Sequence, residues 1–163
     1  MDFTLATAVH RSPSGANAHV SPEGDTVTAV LHAPAVPVRA ISAGRVHIPG
    51  GKATGPQCHH VAEATLAVIS GYAAVLSGNN MTPALPAPGD MIYIPPGMPY
   101  TVVNLSMNAS VLLLAFRTDP GFTTDVHRAS EMDSVASARI AQLRVDFHQR
   151  LMHQRTGRIR RSR

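Results

Sequence analysis

The stretch Gly89-Asp-Met-Ile-Tyr-Ile-Pro-Pro-Gly-Met-Pro-Tyr-Thr-Val-Val-Asn104 decides the fold of this 163-residue chain. Met91–Ile94 is a short run of apolar and β-favouring residues, and Tyr100–Val103 resumes the same character, so both runs predict strands. Between them, the prolines of Pro95-Pro96-Gly97 lack a backbone N–H and end a central strand, while the glycine supplies a permissive turn backbone. The stretch therefore predicts a strand, a tight corner and a second strand.

The spacing in this stretch resembles the second sequence motif of the cupins, which are small β-barrel proteins. That motif has glycine, proline, glycine, histidine and asparagine at set intervals, and the matching positions here are Gly89, Pro95, Gly97, Tyr100 and Asn104. Tyr100 thus stands where the motif has a metal-binding histidine. The resemblance covers about residues 38–120 and implies an all-β fold, the cupin double-stranded β-helix or jelly-roll barrel of small RmlC-like proteins, with a degenerate metal site.

The chain divides into three predicted segments. Residues 1–24 are an N-terminal arm or edge strand, residues 25–130 the barrel, and residues 131–163 a C-terminal amphipathic helix with a basic tail. Further strands are predicted at Asp25–His32, at Val38–Pro49, at Ala64–Ser77 with a bend at Gly71, and at Ala109–Phe116. The last of these runs is continuously apolar, which predicts a strand buried on both faces.

The positive charge belongs to the tail. Residues 1–130 carry six Lys/Arg against seven acidic residues, a net −1, whereas residues 131–163 carry eight arginines against three acidic residues, a net +5. A nearly neutral barrel suits a small organic ligand better than a polyanion. The tail arginines are not interleaved with aromatic residues, and no nucleic-acid motif is present, so we do not expect nucleic acid as a partner.

The predicted helix has an apolar face that we expect to pack on the barrel or across a dimer, with the basic side solvated. That face recurs every three to four residues at Ala136, Ile140, Leu143, Phe147 and Leu151. The resemblance to cupins also implies a homodimer. A single cysteine, Cys58, excludes an internal disulfide, and the sequence has neither a secretory leader nor a long apolar run. These features predict a cytoplasmic protein without a membrane span.

The first cupin motif is degraded, and two registers compete for it. Cupins resembling this chain present two histidines one residue apart on a strand, followed by a glutamate and a glycine. Counting forward from the histidines assigns Gln57, His59 and Glu63 to the inward positions, whereas counting back from Gly71 assigns Cys58 and His60. A slip of one residue exchanges the two faces of a strand, so only one set can face the interior. We favour Gln57, His59 and Glu63.

The two motifs together predict the site. Gln57, His59, Glu63 and Tyr100 are the expected ligands of a divalent first-row metal such as iron, manganese, nickel, zinc or copper, with Cys58 and His60 as the alternative set. Without a metal, Tyr100 with His59 or Glu63 forms an acid/base pair, and burial would raise the pKa of Glu63 toward neutrality. An apolar pocket is expected from Met91, Tyr93, Met98 and Leu114.

The expected function is small-molecule catalysis in the barrel cavity, with a place in specialised metabolism. The reaction types that this site implies are isomerase, dehydratase, cyclase, lyase and, with a metal, oxygenase. A non-catalytic small-molecule-binding cupin or sensor is the first alternative. An interaction protein that uses its basic C-terminal helix is the second.

Overall fold

The chain folds into two antiparallel β-sheets that face each other, followed by a long helix. The computed structural model describes residues 9–11 and 18–161, with side chains to residue 153. The six-stranded sheet contains, in spatial order, β1 (Ala18–Val20), β2 (Thr26–Leu31), β3 (Ser42–Ile48), β10 (Val111–Arg117), β5 (Ala64–Ser70) and β8 (Met91–Ile94). The five-stranded sheet contains β11 (Val126–Arg128), β4 (Gln57–His59), β9 (Tyr100–Asn104), β6 (Ala73–Ser77) and β7 (Thr82–Ala84). A short 3₁₀ turn at Ser130–Met132 leads into helix α1 (Asp133–Arg161).

The predicted strand, corner and strand are confirmed at the stretch that decides the fold. β8 and β9 belong to different sheets, so the corner between them carries the chain from one side of the barrel to the other. Gly97 has a φ of +73°, a backbone conformation that residues with a Cβ rarely adopt. Its N–H donates to the carbonyl of His59 at 2.6 Å. The corner therefore fixes the end of β4, where the first motif lies.

Two apolar layers hold the barrel together. The inner layer lies between the sheets and includes Leu66 of β5, Val102 of β9 and Leu113 of β10. The outer layer lies between the five-stranded sheet and α1, where Val103 of β9 and Ala136 of α1 are both buried. Because β9 contributes to both layers, all five of its residues are buried. This strand holds Tyr100 rigidly inside the molecule.

The burial predicted for the Ala109–Phe116 run is correct for one face only. Residues of β10 alternate between fully buried side chains, such as Leu113, and partly or largely exposed ones, such as Leu114 and Phe116. The inner face packs in the barrel core, whereas the outer face of the six-stranded sheet has no further layer above it in the described chain. Composition alone did not distinguish these two faces, because both are apolar.

The helix packs on the barrel with its predicted apolar face, but one arginine on its basic side is only partly solvated. Ile140, Leu143 and Phe147 contact the outer layer. Arg144 donates from Nε to the carbonyl of Asn104 at 3.2 Å and from Nη2 to the carbonyl of Lys52 at 2.9 Å. The backbone carbonyls of Asn104, at the end of β9, and of Lys52, in the connection before β4, thus bind this cation, a contact that helical periodicity does not predict.

The remaining basic tail falls outside the described side chains, so the predicted arginine cluster there stays a prediction. Its members are Arg155, Arg158, Arg160, Arg161 and Arg163. Within the described residues, no helix is both long and apolar enough to cross a membrane.

Asn104 at the end of β9 closes one end of the barrel. It is fully buried, and its Nδ2 donates to the carbonyls of Ile48, Pro49 and Ala109 at 2.7–3.0 Å, while its Oδ1 accepts from the N–H of Ser106. Removing the amide in Asn104→Ala leaves buried backbone groups without partners. We expect a loss of roughly 2–3 kcal/mol in the free energy of unfolding, measured by urea denaturation.

The matched control for this variant is Asn108→Ala, because Asn108 is exposed in the same connection. Its free energy of unfolding should stay within about 0.5 kcal/mol of that of the unmodified protein. Equal losses in the two variants would contradict the closing role of Asn104.

Candidate active site

A buried tyrosine and histidine meet at the centre of the barrel. The hydroxyl of Tyr100 lies 3.1 Å from Nε2 of His59 and accepts a hydrogen bond from Nε2 of Gln57 at 2.9 Å. His59 and Tyr100 are 0% and 1% exposed. Gln57 is opposite Tyr100 in the pairing of β4 with β9, and His59 follows two residues later on the same face of β4. Strand pairing therefore brings the two sequence motifs together.

The protonation of this pair follows from its surroundings. Burial, followed by repulsion from the Arg117 guanidinium, lowers the pKa of His59 from 6.5 to about 4, so the imidazole is neutral near pH 7. Burial raises the pKa of Tyr100, although Arg117 and the Gln57 amide act against this effect. The phenol therefore keeps its proton and donates it to Nε2 of His59. Nδ1 of His59 then carries the imidazole proton and lies near the backbone of Asp125, without a well-aligned hydrogen bond among the described residues.

Arg117, at the end of β10, places a positive charge beside the tyrosine. The side chain is 4% exposed, its guanidinium carbon lies 4.2 Å from the centre of the Phe122 ring, and Nη1 donates to the carbonyl of Phe122. Its Nε has no partner among the residues described. Tyr100 and Asp119 both interact favourably with the guanidinium, and the Asp119 carboxylate is also bound by the N–H groups of Gly121 and Asp125. The structure thus holds a buried, incompletely satisfied cation, which is costly without a partner.

A cavity of about 610 Å³ reaches the Arg117 side chain. Gln57 and Arg117 lie on its wall, together with His32, whose Nε2 is a further buried atom without a partner. Arg128 lies on the same wall but is paired with the carboxylates of Glu23 and Asp133 at 3.1 and 2.8 Å. The unpaired polar groups of the cavity are thus concentrated near Arg117 and His32.

The structure does not bring Glu63 to the barrel centre, contrary to our expectation. Its side chain is exposed, and its backbone N–H donates to the hydroxyl of Thr118 at 2.8 Å. β4 ends at His59, so the two-residue alternation that orients Gln57 and His59 stops before Glu63. The expected burial of this carboxylate was therefore wrong.

The alternative register faces the outside of the barrel. Cys58 is partly exposed and lies opposite His127 of β11, while the exposed His60 stacks on His127 with ring centroids 3.7 Å apart. Burial, followed by the carboxylates of Glu131 and Asp125, raises the pKa of the Cys58 thiol. Asp125 accepts hydrogen bonds from the backbone N–H groups of Ala62 and Val61, which lower its pKa to about 2. Because Cys58 and His60 lie on the outer side of the barrel, they do not reach Tyr100.

Three of the four residues expected to line an apolar pocket point away from the cavity. Met91 and Tyr93 are 69% and 57% exposed, on the outer face of β8, whereas Ile94 faces the core. Leu114 is partly exposed on the outer face of β10, and only Met98 packs against the inner layer. The strands lie where the sequence predicts them. The residues that face the interior, however, are those next to Met91, Tyr93 and Leu114 along each strand.

The residues at the barrel centre do not fit the metal site of an ordinary cupin. Three histidines and a carboxylate are replaced by one imidazole, one phenol and one amide, since Glu63 lies outside. The phenol is held in its protonated form by burial, whereas a tyrosine ligand must be ionised. The buried guanidinium of Arg117 would also repel a second cation. The donor set Gln57, His59, Glu63 and Tyr100 is thus not assembled for a metal.

Sequence reasoning did not assign a role to Arg117 or His32. Arg117 follows Val111, Leu113 and Ala115 at two-residue spacing on the inner face of β10. A charged residue at an inward position of an apolar strand was the available signal, because such a charge needs a partner or a ligand. His32 directly follows β2 and carries no comparable signal.

The chain belongs to the cupin family, because residues 13–142 match the sequence model of that family. Among curated protein sequences, none matches this chain. The fold class and the resemblance seen in the sequence are thereby confirmed, and cupins include many proteins that bind metals and small molecules.

Solved structures support the same fold. The polyketide cyclase RemF from Streptomyces resistomycificus superposes with a TM-score of 0.61 at 18% identity, covering 77% of this chain and 86% of that one. A conserved double-stranded β-helix protein from Klebsiella pneumoniae gives a TM-score of 0.53 at 20% identity, covering 64% and 84%. Oxalate decarboxylase from Lactobacillus farciminis gives 0.59 at 19% identity, covering 70% and 33%. The neighbours of this fold thus include enzymes.

The low pKa of His59 predicts a loss of stability in mild acid. Because the folded-state pKa of about 4 lies below the unfolded value near 6.5, the unfolded chain binds more protons between these values. The free energy of unfolding should therefore fall as the pH is lowered from 6.5 to 4, by up to roughly 3 kcal/mol from this residue. Urea denaturation across this pH range measures the fall.

His59→Gln removes the titrating group and should flatten this pH dependence. The control is His47→Gln, because His47 is an exposed histidine on β3. An unchanged slope in His59→Gln would contradict the low pKa of His59.

Proposed function

We propose that the chain is an enzyme that binds a small organic anion in its barrel cavity and transfers a proton through Tyr100 and His59. The observation that carries this proposal is the buried Arg117 guanidinium, whose Nε lacks a partner, on the wall of a cavity next to a tyrosine–histidine pair. A substrate carboxylate or enolate oxygen would satisfy that nitrogen. The planar guanidinium suits a carboxylate because it can offer two parallel donors.

Anion binding would also activate the pair. Arg117 is one cause of the low pKa of His59. A negative group bound to Arg117 offsets this repulsion and raises the pKa of the imidazole toward its usual value. His59 thus becomes a better base when the substrate is present, and a base works best when its pKa approaches the working pH.

The proton would move in two linked steps. The hydroxyl oxygen of Tyr100 takes a proton from a substrate carbon next to a carbonyl group, while the phenolic proton passes to Nε2 of His59. Before a substrate binds, the Gln57 amide donates to the same oxygen at 2.9 Å. Gln57 lies between the cavity and the buried hydroxyl, so its side chain must move aside for the substrate to touch Tyr100.

This chemistry is common to isomerisation, dehydration, cyclisation and elimination at activated C–H bonds. Each of these reactions can begin with removal of such a proton, and none needs a redox change. We therefore favour these classes over an oxygenase. The donor set at the barrel centre gives no support to the metal-dependent alternative.

Ligand binding is tested first, by thermal shift with small mono- and dicarboxylates and with the matching amides as neutral probes. We expect the carboxylates to raise the melting temperature and the amides to have little effect. Arg117→Met should abolish the difference. Arg117→Lys, which keeps the charge without the planar fork, should retain part of it. Stabilisation by carboxylates that is unchanged in Arg117→Met would refute the anion site.

Proton transfer is tested on a carboxylate that binds, by following hydrogen–deuterium exchange of its α-protons in D₂O by NMR. Tyr100→Phe should slow the exchange by about a hundredfold or more, because it removes the group that carries the proton. It should leave the carboxylate-induced thermal shift unchanged. Tyr93→Phe is the matched control, since Tyr93 lies on the outer surface.

The two readouts distinguish an enzyme from a binding protein. Binding without enzyme-dependent exchange would favour the non-catalytic sensor. Exchange at the unmodified rate in Tyr100→Phe would refute the role of Tyr100.

We also propose that the chain forms a homodimer through the outer face of its six-stranded sheet. Register places Phe116, Thr65 and Tyr93 in one row across β10, β5 and β8, and Leu114, Ala67 and Met91 in the next row. These rows are largely apolar and include exposed side chains, so a second copy would bury them. The cytoplasmic location and the place in specialised metabolism stay predictions from sequence.

A charge placed in these rows should disrupt the dimer. We expect Tyr93→Lys to halve the mass measured by light scattering during size-exclusion chromatography. Val145→Lys, at an exposed position on α1, should leave the mass unchanged. A dimer that persists equally in both variants would place the interface elsewhere.

A further inference from the structure

We propose that His60, Asp125 and His127 form a binding site for a divalent transition metal, with zinc as the favoured ion, on the outer surface of the barrel. One ligand atom from each of the three residues lies within 4.8 Å of the other two. Both histidines are exposed, and Asp125 is partly buried. The site lies on the opposite face of β4 from the Tyr100–His59 pair, and its residues do not line the proposed cavity, although the charge of Asp125 also raises the pKa of His59.

The pairing of β4 with β11 brings these three residues together. In the pairing of β4 with β11, His59 lies opposite Val126, and Cys58 lies opposite His127. Opposite residues in an antiparallel pair share a face, so His59 and Val126 face inward while Cys58 and His127 face outward. His60, which follows β4, reaches the same outer face and stacks on His127. The ligands thus come from two segments that are more than sixty residues apart in sequence.

The carboxylate is held in place before any metal arrives. Oδ2 of Asp125 accepts from the backbone N–H groups of Val61 and Ala62 at 2.8 and 2.6 Å. Its other oxygen, Oδ1, lies 3.5 Å from Nε2 of His127. One oxygen therefore fixes the side chain on the 60–62 loop, and the second oxygen faces the histidines. A metal ligand fixed by a second set of hydrogen bonds loses little freedom on binding.

The donor types select the ion. Two imidazoles and one carboxylate form a set that suits zinc and leaves room for water as a further ligand. Nickel and copper also accept imidazole, whereas magnesium and calcium prefer all-oxygen sites. The two rings lie parallel, 4° apart, so they must rotate for their nitrogens to converge on one ion. Both side chains are exposed, and this rotation therefore breaks no core packing.

The test is zinc binding to the full-length protein after treatment with a chelator, measured by isothermal titration calorimetry with a phosphine reductant to keep Cys58 reduced. We expect saturable binding of one ion per chain at micromolar concentrations, together with a higher melting temperature, because the ion joins the 60–62 loop to β11. Magnesium should give neither effect.

Substitutions locate the ion. His60→Ala and His127→Ala should each weaken zinc binding at least about tenfold, since loss of even an indirect partner of a metal typically costs that much. Asp125→Asn keeps an acceptor for the loop N–H groups, removes the charge and should also weaken binding. His47→Ala, an exposed histidine elsewhere on the barrel, should bind zinc like the unmodified protein. NMR of the imidazole nitrogens should show zinc-induced shifts at His60 and His127 and not at His47.

Three results would overturn the site. These are the absence of saturable zinc binding, unchanged affinity in both His60→Ala and His127→Ala, and zinc binding that is lost in His59→Gln but kept in those two variants. The last result would place the ion at the barrel centre. Carboxylate binding and proton exchange in the cavity are independent readouts, so failure of either proposal is distinguishable from failure of the other.

Discussion

Side chains along β4 alternate between the inside and the outside of the barrel, and the arrangement of both candidate sites depends on this alternation. Pairing with β9 places Gln57 beside Tyr100, and pairing with β11 places Cys58 beside His127. The hydrogen bond from Gly97 to the carbonyl of His59 fixes the end of the strand. A shift of one residue would exchange the inner and outer sets. The rigid corner after β8 therefore contributes to the site as well as to the fold.

The buried positive charge of Arg117 distinguishes the interior of this barrel from that of an ordinary cupin. An ordinary cupin centre concentrates donors around a cation that comes from outside, whereas this chain supplies its own cation in Arg117. That guanidinium makes His59 harder to protonate and favours ionisation of Tyr100. A positive interior of this kind attracts an anion and disfavours a metal ion. The change from histidine to Tyr100 in the second motif and the inward position of Arg117 are thus consistent with each other.

The sequence predicted where the strands and the helix lie better than it predicted which side of each strand faces the interior. The runs of β-favouring residues, the Pro-Pro-Gly corner, the bend at Gly71 and the C-terminal helix all appear as strands, turns and helix in the structure. Orientation was less predictable where both faces of a strand are apolar, as in β8 and β10. Alternation carries no information about the inside when neighbouring residues are equally hydrophobic. Met91 and Tyr93 were misassigned for this reason.

The sequence by itself determined that the chain resembles the cupins, and it predicted that Gln57, His59 and Tyr100 lie together, as their side chains do in the structure. Set spacings of glycine, proline and asparagine dictate turns and strand ends locally, so they can be recognised without the fold. Only the tertiary structure decided that Glu63 is exposed, that Arg117 is buried, and that His60 lies near His127 and Asp125 outside the barrel. These outcomes depend on where a strand ends and on which distant strand lies beside it. Pairings between residues far apart in sequence set those contacts, and no local pattern records them.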